Sequence, residues 1–302
     1  MALGAGAADE IVVGFGPELG LAAFRSAPAT LSMRVVAADG ALVGDLMTAT
    51  IVDEGRPRWV FWLDPGFVVL VMDWDWRGAR VAWSALLVRP GQPPTPAVDL
   101  GLDGMDVRVA RALDRRSVGL IVQAAAISRA DEPGRWQTIA VAEDGSIRST
   151  AIAVDLDDLV TRTDERWAPA ELDGARGWVA VREGEEPTEG VFAGRRVATD
   201  AAAARTDADA VVASIINGAV PPPRGPGGTI FEARGEPLLV RSRGADEVGE
   251  PLLMAWRGDV VGAVAMNVST ALFWSGSRFL YAYDGPKGAM ILPIDCRRPP
   301  LR

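Results

Sequence analysis

The chain has 302 residues, 49% of them hydrophobic, with a formal net charge of −9, which allows a large buried core and disfavours phosphate backbones and anionic lipid as partners. No apolar run reaches the ~18–20 residues of a spanning helix, so neither nucleic acid nor membrane insertion is expected. Histidine is absent, which removes Ser-His-Asp and Cys-His nucleophile activation, His-ligated zinc and the two-His iron site together.

Any chemistry therefore falls to carboxylates, Arg, Tyr, Ser/Thr or the lone Lys287, and no cofactor is expected. All but one of the 31 basic residues are Arg, which with the abundance of Ala, Gly and Val reads as the coding bias of a GC-rich bacterial genome. The single Cys296 cannot form an internal disulfide or a paired-cysteine motif and reads as a spectator. The start, "MALGAGAADEIVV", lacks the basic and continuous apolar regions of a signal peptide. Two compartments stay open: cytoplasmic as written, or extracytoplasmic with a targeting segment removed.

From the N-terminus the chain is a succession of short β-branched or aromatic runs divided by Gly, Pro and Asp. They run from "EIVVG" (10–14), "LGLAAFRS" (19–26), "PRWVFWL" (57–63), "GFVVLVMDW" (66–74) and "ARVAWSALLV" (79–88) through "VGLIVQAAAI" (118–127) and "RWQTIAVAEDG" (135–145). "GWVAVREG" (177–184), "PLLVRSRG" (237–244), "PLLMAWRG" (251–258), "TALFWSG" (270–276), "RFLYAYDG" (278–285) and "GAMILPI" (288–294) follow. Such a series predicts an all-β sandwich, barrel or propeller. One Ala-rich stretch, 199–215, suits a helix by composition, although its "ADAVVASI" reads equally well as a strand.

Two observations narrow the choice. "VAADGALV" (36–43) and "VAEDGSIR" (141–148) share the frame V-A-x-D-G-x-(L/I), with Asp-Gly expected at the centre of a two-residue hairpin. "FVVLVM" and "PLLM" are apolar on both faces, as for a strand at the centre of a small sheet covered on each side by another. The Pro-rich breaks at 89–96 and 220–228 then read as loops within one domain spanning 1–302. The repeated frame, followed by a glycine and an apolar run, resembles the divergent β-propeller repeats of many bacterial surface and secreted proteins. It lacks the Gly-His and Trp-Asp pairs of WD40 blades and the sialidase S-x-D-x-G-x-x-W box. The resemblance implies an all-β propeller of six or seven four-stranded blades that binds at one face of the ring, and implies no reaction. The termini are expected to close the ring, with "EIVVG" and "GAMILPID" as the strand-like ends.

The stretch "VMDWDWRGARVAW" (71–83) carries the candidate site. On a strand Asp73 and Asp75 share one face about 6.6 Å apart, with Met72, Trp74 and Trp76 on the other. That spacing suits a glycosidase pair, yet side chains at i and i+2 cannot flank a scissile bond. Asp73, Asp75 and Gly78 also match the first, third and sixth positions of a calcium loop, but Arg77 and Ser84 stand where ligands belong. Asp73, Asp75, Arg77 and Trp76 are retained as ligand-binding candidates beside a simpler reading, a strand end turning polar at the rim; no catalytic or metal residue is assigned. The crowded Trp residues read first as filling between sheets, Trp74 included. The acidic run 155–166 reads as a solvated loop, and "GPGG" (225–228) as a flexible one lacking phosphate-loop partners. The expected function is recognition of a protein, peptide or glycan; the alternative is a carboxylate-based glycoside hydrolase or lyase. Three or more carboxylates converging at one mouth would favour the enzyme.

Overall fold

The computed structural model describes residues 2–4, 9–52, 54–75, 77–78, 80–125, 134–152, 166–181, 189–198, 205–206, 229–233, 236–242, 251–256, 259–265, 270–274, 279–285 and 288–294. These residues form six antiparallel sheets, each built from one continuous stretch of chain. Sheet I holds β1 (Asp9–Phe15), β2 (Leu19–Ala27), β3 (Thr30–Ala37) and β4 (Leu42–Thr50); sheet II holds β5 (Gly55–Leu63), β6 (Gly66–Asp75), β7 (Arg80–Val88) and β8 (Val98–Asp99). Sheet III comprises β9 (Met105–Ala112), β10 (Ser117–Ala124), β11 (Arg135–Val141) and β12 (Ile147–Ile152). Sheet IV is β13 (Arg166–Leu172), β14 (Ala175–Val181), β15 (Glu189–Phe192) and β16 (Arg195–Ala198), with β17 (Arg205–Thr206) paired to the free side of β13. Sheet V is β18 (Thr229–Ala233), β19 (Glu236–Ser242), β20 (Pro251–Trp256) and β21 (Asp259–Ala265); sheet VI is β22 (Thr270–Trp274), β23 (Phe279–Gly285) and β24 (Gly288–Ile294).

Strand β6 shows why the apolar pattern lacks alternation. Phe67, Val69 and Val71 pack with Leu21, Met33 and Val60 in a core shared by sheets I and II. Val68, Leu70 and Met72 pack instead with Leu120, Val122 and Ile139 between sheets II and III. Both sides of the strand are buried, but in different cores. β2 does the same, with Leu21 and Ala23 turned to sheet II and Ala22 and Phe24 to sheet VI. Val109, Ile121 and Trp136 meet Trp178 and Val191 between sheets III and IV, where Trp136 and Trp178 lie edge to face at 5.1 Å. The outermost strands β4 and β12 are largely exposed. The first strands lie together on the inner side: β1 beside β5 and β22, and β5 beside β9.

This is the arrangement of a β-propeller: antiparallel meanders of mostly four strands, with sheets VI, I, II, III and IV packed face to face in that order. Sheet VI packs on sheet I through Leu280, Ala282, Ala289 and Ile291 against Ile11, Val13, Ala22 and Phe24. Ala2 bridges to Met290 and the Leu3 amide donates to the Ala289 carbonyl at 2.6 Å, so residues 2–4 lie along the edge of β24. The two ends therefore meet twice: Ile11 and Val13 of "EIVVG", on the inner strand of sheet I, pack against Ala289 and Ile291 of "GAMILPID", and Ala2 and Leu3 add backbone bonds along β24. No helix among the described residues is long and apolar enough to cross a membrane.

The repeated Asp-Gly frame occupies equivalent places, the β3–β4 and β11–β12 connections. Each is a three-residue loop rather than a two-residue one. The Gly40 amide donates to Ala37 O and the Ala37 amide to Ala41 O, and Gly145 and Ala142 repeat the pattern with Ala142 and Ser146. Only Gly40 and Gly145 take positive φ, at 88° and 82°, as a type I turn closed by a left-handed glycine requires. Asp39 and Asp144 instead accept from the amides of Ala41 and Ser146, the local capping that makes Asp a turn residue. Two-residue hairpin turns with both residues at positive φ occur instead at Asp173-Gly174 and Ala193-Gly194. The Ala-rich stretch contributes Arg205 and Thr206 to β17; the rest of 199–215, together with residues 155–165, the "GPGG" loop and Cys296, lies outside the described residues.

Candidate functional site

Asp73 and Asp75 lie at the far end of β6, opposite Gly55 on β5 and Ala82 and Arg80 on β7. Asp75 Oδ1 accepts from the amides of Arg77 and Gly78 at 2.9 and 3.0 Å, so this carboxylate shapes the β6–β7 hairpin. Asp73 is half-buried. Burial pushes its carboxyl above the ordinary aspartate value, Arg80 pulls it back, and Asp75 and Glu54 add to the rise. Around them Arg25 pairs with Glu54 at 3.4 Å and Arg80 with Asp103 at 3.1 Å, giving a rim of alternating charge. Trp76 lies outside the described residues.

Trp74 is not buried between sheets. It shares a face with Met72 and with Val81 across the strand pair, both buried, yet it is itself 44% exposed. The other indoles do fill sheet interfaces: Trp83 is buried, stacks on Trp59 at 5.5 Å, and donates from Nε1 to Met105 O across sheets II and III.

The opposite end of the same sheets holds a cleft of about 860 Å³. It lies about 30 Å from the Asp73–Asp75 rim, nine strand residues at about 3.3 Å each. The end of β1 supplies Phe15, the β1–β2 turn Gly16 and Pro17, and β5 Phe61 and Trp62; the following turn supplies Asp64. The β9–β10 turn gives Leu113, Asp114 and Arg115, and β14 gives Arg176. Four sheets thus contribute, three through the ends of their inner strands and the turns that follow and sheet IV through the start of β14.

The walls are fixed by local chemistry. The Asp64 amide donates to Arg115 O at 2.6 Å, tying the turns of sheets II and III, and the Gly16 amide closes the β1–β2 turn on Leu19 O. Trp62 meets Phe67 edge to face at 4.9 Å, and the backbone of Gly16 lies against its indole. A Cβ on Gly16 would lie 2.6 Å from Trp62 Cδ2, so only glycine lets the turn sit against the indole. Asp114 Oδ1 accepts from the Arg116 amide at 2.7 Å, which holds that carboxylate in its own turn. The lining therefore includes two arginines, two aspartates and an aromatic wall. Sequence reading passed over Asp64, Arg115 and Arg176; the available signal was the position of Asp64 and Arg115 in turns next to inner-strand runs such as "PRWVFWL", and of Arg176 just after the Asp173-Gly174 turn.

Among the described residues no three of His, Cys, Asp and Glu are placed to hold a metal ion. No protein-family model and no curated protein matches the chain. Solved structures similar to it include the hemagglutinin-neuraminidase of parainfluenza virus 5, 8% identical over 96% of this chain and 89% of that one with a TM-score of 0.47. The xylan β-1,4-xylosidase of Bacillus halodurans is 12% identical over 99% of this chain and 57% of that one, TM-score 0.40. The β-propeller domain of the trilobed protease from Pyrococcus furiosus is 10% identical over 98% and 82%, TM-score 0.33. Likeness at this level assigns no activity; the sheet arrangement itself identifies the chain as an all-β protein of propeller type.

Proposed function

We propose that residues 1–302 form one six-bladed propeller domain whose role is recognition, with a protein, peptide or glycan taken into the cleft at the inner-strand ends. The observation that supports this is the convergence of Phe15, Trp62, Asp64, Arg115 and Arg176 from four sheets on one opening, of a size within the ~300–1,000 Å³ of small-molecule sites. Two carboxylates line it among the described residues, one already engaged in its turn, which favours binding over acid-base chemistry. The net charge of −9 argues against nucleic acid. Hydrolysis of a glycoside has one observation in its favour, the presence of both Asp64 and Asp114 at the mouth. In this reading the far rim, with Asp73, Asp75 and Arg77, serves the hairpin.

Binding of the whole chain to glycan and peptide arrays tests the reading, using Arg176→Glu at the mouth and Asp73→Asn/Asp75→Asn at the rim. Loss of a ligand with the mouth variant alone is the expected result. Loss with the rim pair alone, in protein that melts normally, would overturn it and return Asp73 and Asp75 to the ligand site. Release of reducing ends from a bound glycan, abolished by Asp64→Asn, would establish the hydrolase instead.

A further inference from the structure

Several described arginines elsewhere are engaged by carboxylates or carbonyls. Arg25, Arg80, Arg108, Arg116 and Arg196 each reach a carboxylate within 4 Å, and buried Arg111 donates to two carbonyls, Ala170 O and Gly177 O. Acidic residues outnumber basic ones 40 to 31, so carboxylates are in excess. Arg115 and Arg176 nevertheless line the cleft without an ion pair among the described residues, although Asp64 and Asp114 line the same opening. Asp114 is held by the Arg116 amide. Two arginines from different sheets thus line one space, with Asp64 as the acceptor not committed to a turn bond.

We propose, resting on the mouth as the recognition site, that its ligand is a carboxylated sugar, a uronate unit of an acidic glycan. A carboxylate accepts paired N–H bonds from guanidinium, the strongest recognition this lining can offer. A dianionic phosphate matches less well, because the two aspartates of the same lining repel its second charge. The ligand must also bring donors for Asp64 and an apolar surface for Phe15, Phe61 and Pro17. A sugar acid carries one carboxylate, several hydroxyl donors and C–H faces within a single ring. The wall is already rigid, since Gly16 backs Trp62 and the Asp64 amide is fixed to Arg115 O, so little order has to be imposed on binding.

Calorimetric titration of the full chain with trigalacturonate and with neutral galactotriose tests this. The acidic oligomer is expected to bind at least about tenfold more tightly, with the preference shrinking at high salt. Arg115→Gln and Arg176→Gln should each weaken it by about tenfold or more, the worth of a charge-assisted bond, and abolish the preference. Both side chains are exposed, so both variants should melt as the parent does. Equal binding of the two oligomers, with both lost in Arg176→Glu, would overturn the uronate assignment while leaving the mouth as the site. Uronate binding indifferent to both Gln changes would overturn the site as well. No binding of either oligomer, or tighter capture of an acidic peptide than of trigalacturonate, would overturn the sugar.

Discussion

The seam between sheets I and VI makes a sharp prediction at Leu3. This side chain is fully buried in the core that joins Ile11, Phe24, Leu280 and Ile291. Leu3→Ala removes it from a site that larger neighbours surround, and buried Leu→Ala changes cost about 2–5 kcal/mol according to how far the gap can collapse. Leu3 sits on a short segment held by one bridge at Ala2 and by its own amide on Ala289 O, so collapse is easy and the low end applies, about 2–3 kcal/mol. Leu21→Ala, in the middle of β2 and equally buried, cannot relax in that way and should cost about 3–5 kcal/mol. Urea titration followed by tryptophan fluorescence gives both values, and hydrogen exchange at the Leu3 and Ile291 amides gives the local one. If Leu3→Ala shifts the midpoint by less than the equivalent of about 1 kcal/mol while exchange at Ile291 is unchanged, residues 2–4 do not hold the seam.

Arg111→Met keeps the aliphatic stem but loses the bonds to Ala170 O and Gly177 O at 2.7 and 2.9 Å; about 2–4 kcal/mol should be lost in the same titration. Trp74→Ala should cost only about 1–2 kcal/mol because the indole is 44% exposed, and a loss above 3 kcal/mol would place it in a core. Asp73 sets a pH dependence. Its folded carboxyl titrates above the unfolded value of 3.8 because burial disfavours the charge. Between those two values the folded state keeps a proton that the unfolded chain has released, so stability falls as pH rises through the window and the penalty persists above it. Asp73→Asn should therefore gain on the parent from below the ordinary aspartate pKa up to neutrality, and a melting series in which the two proteins run parallel would contradict the cause given.

Much of the fold is legible because its causes are local. β6 reads as a central strand from "FVVLVM" alone, since burial on two sides needs no knowledge of which sheets cover it. The Asp-Gly repeat marks corresponding turns, although the sequence leaves the loop length ambiguous; whether the residue before glycine enters the left-handed region depends on strand pairing beyond the turn. Alternation places Trp74 on the Met72 face correctly, but it cannot say how much of the indole stays uncovered. The cleft is illegible for a different reason. Phe15, Trp62, Arg115 and Arg176 are each ordinary in their own run, and only the gathering of inner-strand ends from separate sheets gives them a common space. Asp73 and Asp75 attract notice because they are neighbours in sequence, and that same proximity is what a hairpin turn needs.

Building every sheet from one stretch of chain has a consequence for biosynthesis. Sheets I to IV can each assemble and cover the previous one as the ribosome proceeds, but Ile11, Val13, Ala22 and Phe24 are covered by Leu280, Ala282 and Ile291. Roughly 250 residues must be made in between, which at about 5–20 residues per second leaves that first face wet for on the order of 10–50 s. An apolar sheet face waiting that long is a docking place for chaperones and for other nascent chains. Slowing translation beyond Trp274 should therefore be felt at the opposite end of the chain, as association through sheet I.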